Sequence, residues 1–277
     1  MQLSQNNSRQ FAIFYAVCFY MVGAWYVWHG IMLLHLAPVF FLNKADVTGQ
    51  LFMWTGIQHK IIDSRTFRML FECIFYALPA LLSVSFIKGY RISFILSVIT
   101  ILYSAFYCYM LSCFTFVSIE PLIAWFFIPF LFAGKSLQGF YFRMHMIRIL
   151  FILFFASAAI WKIRGGGLFN TDQMSGILIS QHAAILSSGE QTFFIGLLRF
   201  LIDHPVLSTT LYWIVAVGEL FFFIGLFTKK YDRLLILILV CFLTFDYLLM
   251  QINYFSWLPF AGCFYFSRHT MPDRTNP

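Results

Sequence analysis

Long apolar runs constrain this chain more than any motif does. Stretches rich in Phe, Leu, Ile, Val and Ala cover 11–34, 67–87, 92–114, 119–134, 145–163, 207–228, 233–250 and 252–267. A helix needs roughly 20 mainly apolar residues to cross the hydrocarbon of a bilayer. The runs predict an all-α integral membrane protein of about eight spans in one bundle. Those at 119–134 and 252–267 are short, so seven spans or a re-entrant element fit the same pattern. Composition agrees: 61% of residues are hydrophobic and 10% charged, against about 45–50% and 25% in soluble domains. A water-soluble globule, a disordered chain, collagen and a coiled coil are excluded. The first run follows only Arg9, is longer than a signal-peptide core and lacks a small-residue cleavage site, so it is expected to stay in the protein.

Basic residues give the orientation. Arg9 precedes the first run, Lys88 and Arg91 follow the second, Lys135 and Arg143 the fourth, Lys229, Lys230 and Arg233 the sixth, and Arg268 and Arg274 the last. Alternate gaps are therefore basic, which places both termini in the cytoplasm and the long gaps 35–66 and 164–206 outside. Lys44, Lys60, Arg65, Arg164 and Arg199 lie in those outer gaps, with Arg68 at an edge, and are partly offset by Asp46, Asp63, Asp172, Glu190 and Asp203. The segment 176–205 mixes apolar clusters with isolated polar residues and ends in His204-Pro205. It is too polar to span and is expected to lie along, or dip into, the outer surface. The net charge of +7 is read as topology, and no nucleic-acid partner is expected. Cys18, Cys73, Cys108, Cys113, Cys241 and Cys263 show no metal-ligand spacing, so no metal is expected.

Charges inside the runs cost at least ~2.5–3.5 kcal/mol each and are site candidates. His29, Glu72, Lys162 and Asp246 fall in the outer half of the bilayer on this topology, with Glu219 near its middle. Plainer roles stand beside these. Lys162 and Arg164 can snorkel to the headgroups, Glu72 can pair with Arg68 one turn away, and His29 and His35 can be interfacial. Asp246 and Glu219 must be protonated, paired or wet at their depth.

Two segments carry a resemblance. FFASAAIWKIRGGGLFN (154–170) ends a small-residue helix in Ala-x-x-Lys-aliphatic. LYWIVAVGELFFFIGLF (211–227) and FDYLLMQINYFSWLPFAGCFYF (245–266) supply a helix with a central Glu, then a helix entering a Phe-Ser turn. Together they resemble the horizontally transferred transmembrane (HTTM) family, which includes the membrane domain of vitamin K-dependent γ-glutamyl carboxylase and the membrane component of sporulation-delaying toxin maturation systems. The resemblance implies that Lys162 is a base toward a lipid quinone, that Glu219 is the mid-helix acid, and that Asp246 stands where many members carry His. Gly165-Gly166-Gly167 replaces the family's frequent Trp and Gly, and no segment here is long enough for the carboxylase's extra-membrane domain.

The expected function is maturation or export of a secreted peptide, such as a toxin or bacteriocin, at the outer face of the cytoplasmic membrane, with a peptide precursor, other maturation subunits and membrane lipid as partners. The alternatives are a carboxylase-like membrane enzyme and a transporter or immunity protein. Lys162, Glu219 and Asp246 are the catalytic candidates, and His29, Glu72 and Arg164 the substrate-binding ones.

Overall fold

The computed structural model describes residues 2–35, 47–115, 119–134 and 136–267. Lys44, Asp46, Lys135, Arg268 and Arg274, used above for topology, lie outside them. The described chain is helical, without a strand. In order the helices are α1 (Gln2–Trp28), α2 (Val47–Thr55), α3 (Ile57–Asp63), α4 (Arg65–Ile87), α5 (Ser93–Thr115), α6 (Ala124–Phe127), α7 (Leu137–Arg164), α8 (Gln173–Gln181), α9 (Ala183–Ser187), α10 (Phe193–Asp203), α11 (Pro205–Phe221), α12 (Ile224–Phe227), α13 (Asp232–Phe245) and α14 (Leu258–Phe266).

Among the described residues six helical stretches are long and apolar enough to cross a membrane: Asn6–Trp28, Arg65–Ile87, Ser93–Phe114, Leu137–Arg164, Pro205–Phe227 and Asp232–Met250. The other two apolar runs do not form such helices. Around 119–134 the chain is broken into 3-10 turns on either side of α6, with Pro121 and Pro129 near the starts of those turns, because proline removes a backbone donor and clashes with the preceding turn. The run at 252–267 holds one 3-10 turn and the nine residues of α14. The first span stops at Trp28 rather than continuing to residue 34, as Gly30 turns the backbone at φ 66°.

The chain divides into two compact units, Met1–Ile147 with Tyr254–Pro277, and Arg148–Asn253. In the first, α1, α4 and α5 pack with the broken segment and α14. Aromatic rings fill their centre: Phe75 stacks on Tyr107 at 3.8 Å between centroids, and Trp125 lies 5.4 Å from Phe19 and 5.2 Å from Phe75. Close helix approach depends on a glycine. A Cβ on Gly23 would sit 2.6 Å from the Tyr76 ring, whose hydroxyl donates to the Gly23 carbonyl at 3.2 Å. The α5 helix is inside-out by the standard of a soluble protein. In its first half Ser93, Ser97, Thr100 and Ser104 form the buried stripe, while Phe94, Ile95, Val98, Ile99 and Leu102 face outward; further along, Tyr107, Met110 and Leu111 are buried. Small polar residues let helices approach and bond where the exterior is apolar; the Ser97 hydroxyl donates to the Pro129 carbonyl at 2.5 Å.

In the second unit, Met174, Leu178, Leu198, Leu201 and Leu249 join α8 and α10 to the end of α13. Phe155 of α7 packs on Phe222 and Phe242 at 4.5 and 4.9 Å. The segment after α7 is thus packed rather than free, and it serves α13 directly. Gln181 Nε2 and His182 Nε2 reach the Met250 and Leu249 carbonyls at 3.3 and 2.8 Å, which a helix end otherwise leaves without a partner. At the opposite end of α13, Arg148 of α7 is fully buried and grips Asp232 with two bonds, Nε to Oδ2 at 3.1 Å and Nη2 to Oδ1 at 2.5 Å. Gly225 lets the chain close over them, since a Cβ there would meet Ile152 at 2.8 Å and Leu235 at 2.9 Å. Burial, and then the Arg148 guanidinium, push the nearby Lys229 ammonium below the usual lysine range, with Asp232 opposing.

Breaking a buried pair strands the surviving charge at a cost of about 3–5 kcal/mol, whereas replacing both members by apolar residues is often near neutral. Asp232→Ala is expected to lower stability by that amount in unfolding titrations in mild detergent, and Arg148→Met with Asp232→Leu to recover most of it. An Asp232→Ala protein as stable as the parent would show that the pair does not hold α7 to α13.

Candidate functional site

Lys162 is the third-last residue of α7 and Glu219 the third-last of α11. The lysine Nζ donates to Glu219 Oε1 in a salt bridge, with side-chain exposures of 21% for the lysine and 2% for the glutamate. Glu219 Oε2 is buried and has no hydrogen-bond partner. The Tyr212 ring, two turns before Glu219, lies 5.6 Å from Nζ and presents its electron-rich face to the cation.

The triple glycine following Lys162 has a local purpose. Gly166 takes φ 73°, a left-handed conformation that side chains disfavour, and ends the helix. Gly167 would bring a Cβ to 3.3 Å from the Tyr212 hydroxyl, so its bareness lets the loop close on the tyrosine beside Lys162.

Asp246 opens a π turn, Asp246–Met250, at the end of α13. Its carbonyl accepts from the Gln251 amide, and Gln251 takes a left-handed φ of 56°. Single π turns of this kind are frequent at functional sites. The Asp246 side chain is partly buried and lies within Coulombic reach of both Lys162 and Glu219. The three catalytic candidates therefore form one cluster inside the second unit.

Glu219 also lines a groove of about 370 Å³ whose walls are Phe155, Leu211, Ile214, Leu237, Phe242 and neighbouring apolar residues. Glu219 is the one charged residue among its described lining residues.

Of the substrate-binding candidates, only Arg164 belongs to the same unit as this cluster. Arg164 is exposed, and its guanidinium lies over the Trp161 ring at 5.0 Å, a surface arrangement. His29 and Glu72 belong to the first unit. His29 stacks on Trp25 at 4.0 Å and bonds the Trp25 carbonyl through Nδ1 at 2.8 Å. Glu72 Oε1 accepts from the Leu34 amide at 2.8 Å, and the Tyr107 hydroxyl lies 3.5 Å away. Its expected partner is engaged elsewhere: Arg68 Nη1 donates to the Ile61 and Ile62 carbonyls at 2.9 and 3.1 Å, capping the end of α3.

Sequence reasoning missed Arg148 and its partner Asp232. The signal was present, an arginine four residues into an apolar run, but it falls close to the basic gap that reports orientation. Among the described residues no group of three or more His, Cys, Asp or Glu could hold a metal ion. The chain matches no family model, no curated protein and no solved structure.

Removing one member of the Lys162–Glu219 pair is expected to destabilise more than removing both. Lys162→Met leaves Glu219 buried without a counter-charge, while Lys162→Met with Glu219→Gln relieves it. A double-mutant cycle on unfolding in detergent should return a coupling of about 1 kcal/mol or more. A coupling indistinguishable from zero would mean that the contact is incidental.

Proposed function

We propose that this chain is a multi-pass integral membrane enzyme of the HTTM type, in the cytoplasmic membrane with both termini inside, that moves a proton on a membrane-soluble substrate held against Glu219. The observation that carries this reading is the Lys162–Glu219 pair beside an apolar groove that Glu219 lines, with the buried Glu219 Oε2 left without a hydrogen-bond partner. Outward-facing apolar side chains on the long helices, such as Met21, Leu102, Ile214 and Leu237, support insertion in lipid, and the basic gaps support the orientation.

The chemistry follows from the pair. A lysine acts as a base only when neutral. Passing the proton from Nζ to Glu219 Oε1 converts the ion pair to an amine and a carboxylic acid without bringing charge into the site. The free amine can then accept a proton from the substrate, and Glu219 Oε2 can accept a hydrogen bond from the substrate's hydroxyl or amide. Asp246, near both groups, compensates the charge as it shifts. The groove's walls suit an apolar ring or tail, so the lipid quinone implied by the family resemblance fits these residues. Phe155, Leu211, Phe242 and Glu219 would hold it, and its reduced form supplies an acidic hydroxyl and two electrons.

A second reading, a non-catalytic part in maturing or exporting a secreted peptide, is favoured by the exposed Phe169, Phe193 and Val206 on the segment after α7, apolar side chains that a precursor can meet. The two readings part on one measurement. Secreted peptides from producing cells are compared by mass spectrometry for the parent, a deletion strain and Lys162→Arg. Arginine keeps the charge and cannot become a neutral base, so the enzyme reading predicts that the product mass reverts in both and that turnover falls about 10²–10⁴-fold. Full activity in Lys162→Arg removes the base mechanism. An unchanged peptide mass with lost export in the deletion strain would favour the partner reading.

A further inference from the structure

In the first unit, α5 and α7 begin near the place where α4 ends, and together with Ser8 and Arg9 of α1 they surround a pocket of about 700 Å³. Arg9, Lys88 and Arg91 line it together with Ser8, Ser93 and Ser136, and no carboxylate is among its described lining residues. Three cations around one concavity are costly to keep together unless an anion joins them, because like charges repel and each guanidinium or ammonium seeks an acceptor.

The backbone adds to the positive field. The α4 helix ends in a paired turn in which Tyr90 N–H bonds the Ser85 carbonyl at 2.9 Å and Gly89 N–H the Phe86 carbonyl at 3.0 Å, with Gly89 at φ 72°. That turn consumes the carbonyls of the α4 end and sets Lys88 and Arg91 on either side of the loop. The starts of α5 and α7 bring amide donors and the positive ends of two long helices to the same pocket. Ser136 caps α7 through its hydroxyl, which accepts from Gly139 N–H at 3.0 Å. Behind the wall, the Arg143 guanidinium packs against Gly134, which has no Cβ to exclude it, and gives two bonds to the Leu131 carbonyl, both at 3.1 Å. Its charge is fixed under the pocket.

We propose that this pocket binds a phosphate group, the chemistry shared by the headgroup of an anionic phospholipid and by free phosphate. It is separate from the Lys162 cluster in the chain and does not depend on the function proposed for it. Tetrahedral phosphate oxygens accept from Arg9 and Arg91 in forked pairs, from Lys88 as a point charge, and from the serine hydroxyls. Basic pockets between helix ends on the cytoplasmic side are suited to anionic headgroups.

The test uses the full chain purified in neutral detergent, with Arg9→Gln, Lys88→Gln and Arg91→Gln alone and combined. Lys60→Gln with Arg199→Gln and Lys230→Gln is the charge-matched control. Native mass spectrometry measures retained phosphatidylglycerol against phosphatidylcholine, and calorimetry measures binding of inorganic phosphate. Each single variant is expected to weaken binding about fivefold, equivalent to ~1 kcal/mol per charge near a membrane surface, and the combined variant to abolish it while melting like the parent. Phosphatidylglycerol retained by the parent and lost only in the combined pocket variant supports a headgroup site. Heat from inorganic phosphate lost in that same variant supports a soluble phosphate. Binding of neither ligand, or binding that pocket and control variants keep or lose alike, overturns the site.

Discussion

Two ion pairs, one fully buried and one with its lysine partly exposed, hold the second unit in register, and both hang on α7. Arg148 and Lys162 are separated along that helix by roughly 21 Å at 1.5 Å per residue. Each meets an acid on a different element, Asp232 at the start of α13 and Glu219 in α11. Apolar helices slide past one another at little cost, because one leucine contact resembles the next. A charge held against its partner does not slide, since a one-turn shift would leave several kcal/mol of unpaired charge in apolar surroundings. The packing of Phe155 on Phe222 and Phe242, and the approach of Gly225 to Ile152, follow from that register.

The same pairs differ in what they leave over. Arg148 and Asp232 spend both carboxylate oxygens on one guanidinium, and the result is closed. Lys162 offers a point charge to one oxygen of Glu219 and leaves the second without a partner. The glycine loop and Tyr212 close around the lysine, while the groove opens on the glutamate. A structural fastening at one end of α7 and a chemically unfinished one at the other suggest why the functional reading falls on the second.

Much of this was legible in the sequence. Apolar runs located the six long helices, and counting depth from the basic gaps brought out Lys162, Glu219 and Asp246 along with His29 and Glu72, from a chain with few charges. The failures have physical causes. Prolines at 121 and 129 break a run that hydropathy alone reads as continuous. Arg148 was hidden because an arginine near a span end satisfies the topology rule whether it faces water or a buried aspartate. For Glu72 the nearest basic residue along the helix was the wrong guide. Its acceptor is filled by a backbone amide at Leu34, a donor present at every non-proline residue and invisible in a pattern of side chains.

Glu72 and Glu219 make the comparison on which the functional assignment turns. Both are buried carboxylates on long apolar helices, and the donors they meet set them apart. Glu72 Oε1 is met by a backbone N–H, with a tyrosine hydroxyl near it, donors that do not give up a proton readily at neutral pH. They position the chain after α1 against α4 and offer nothing to transfer. Glu219 is met by an ammonium, the one donor in either arrangement that can hand over its proton and remain a usable base. A carboxylate held by neutral donors fixes structure. One held by an amine, with an oxygen to spare beside an apolar groove, can take part in a reaction.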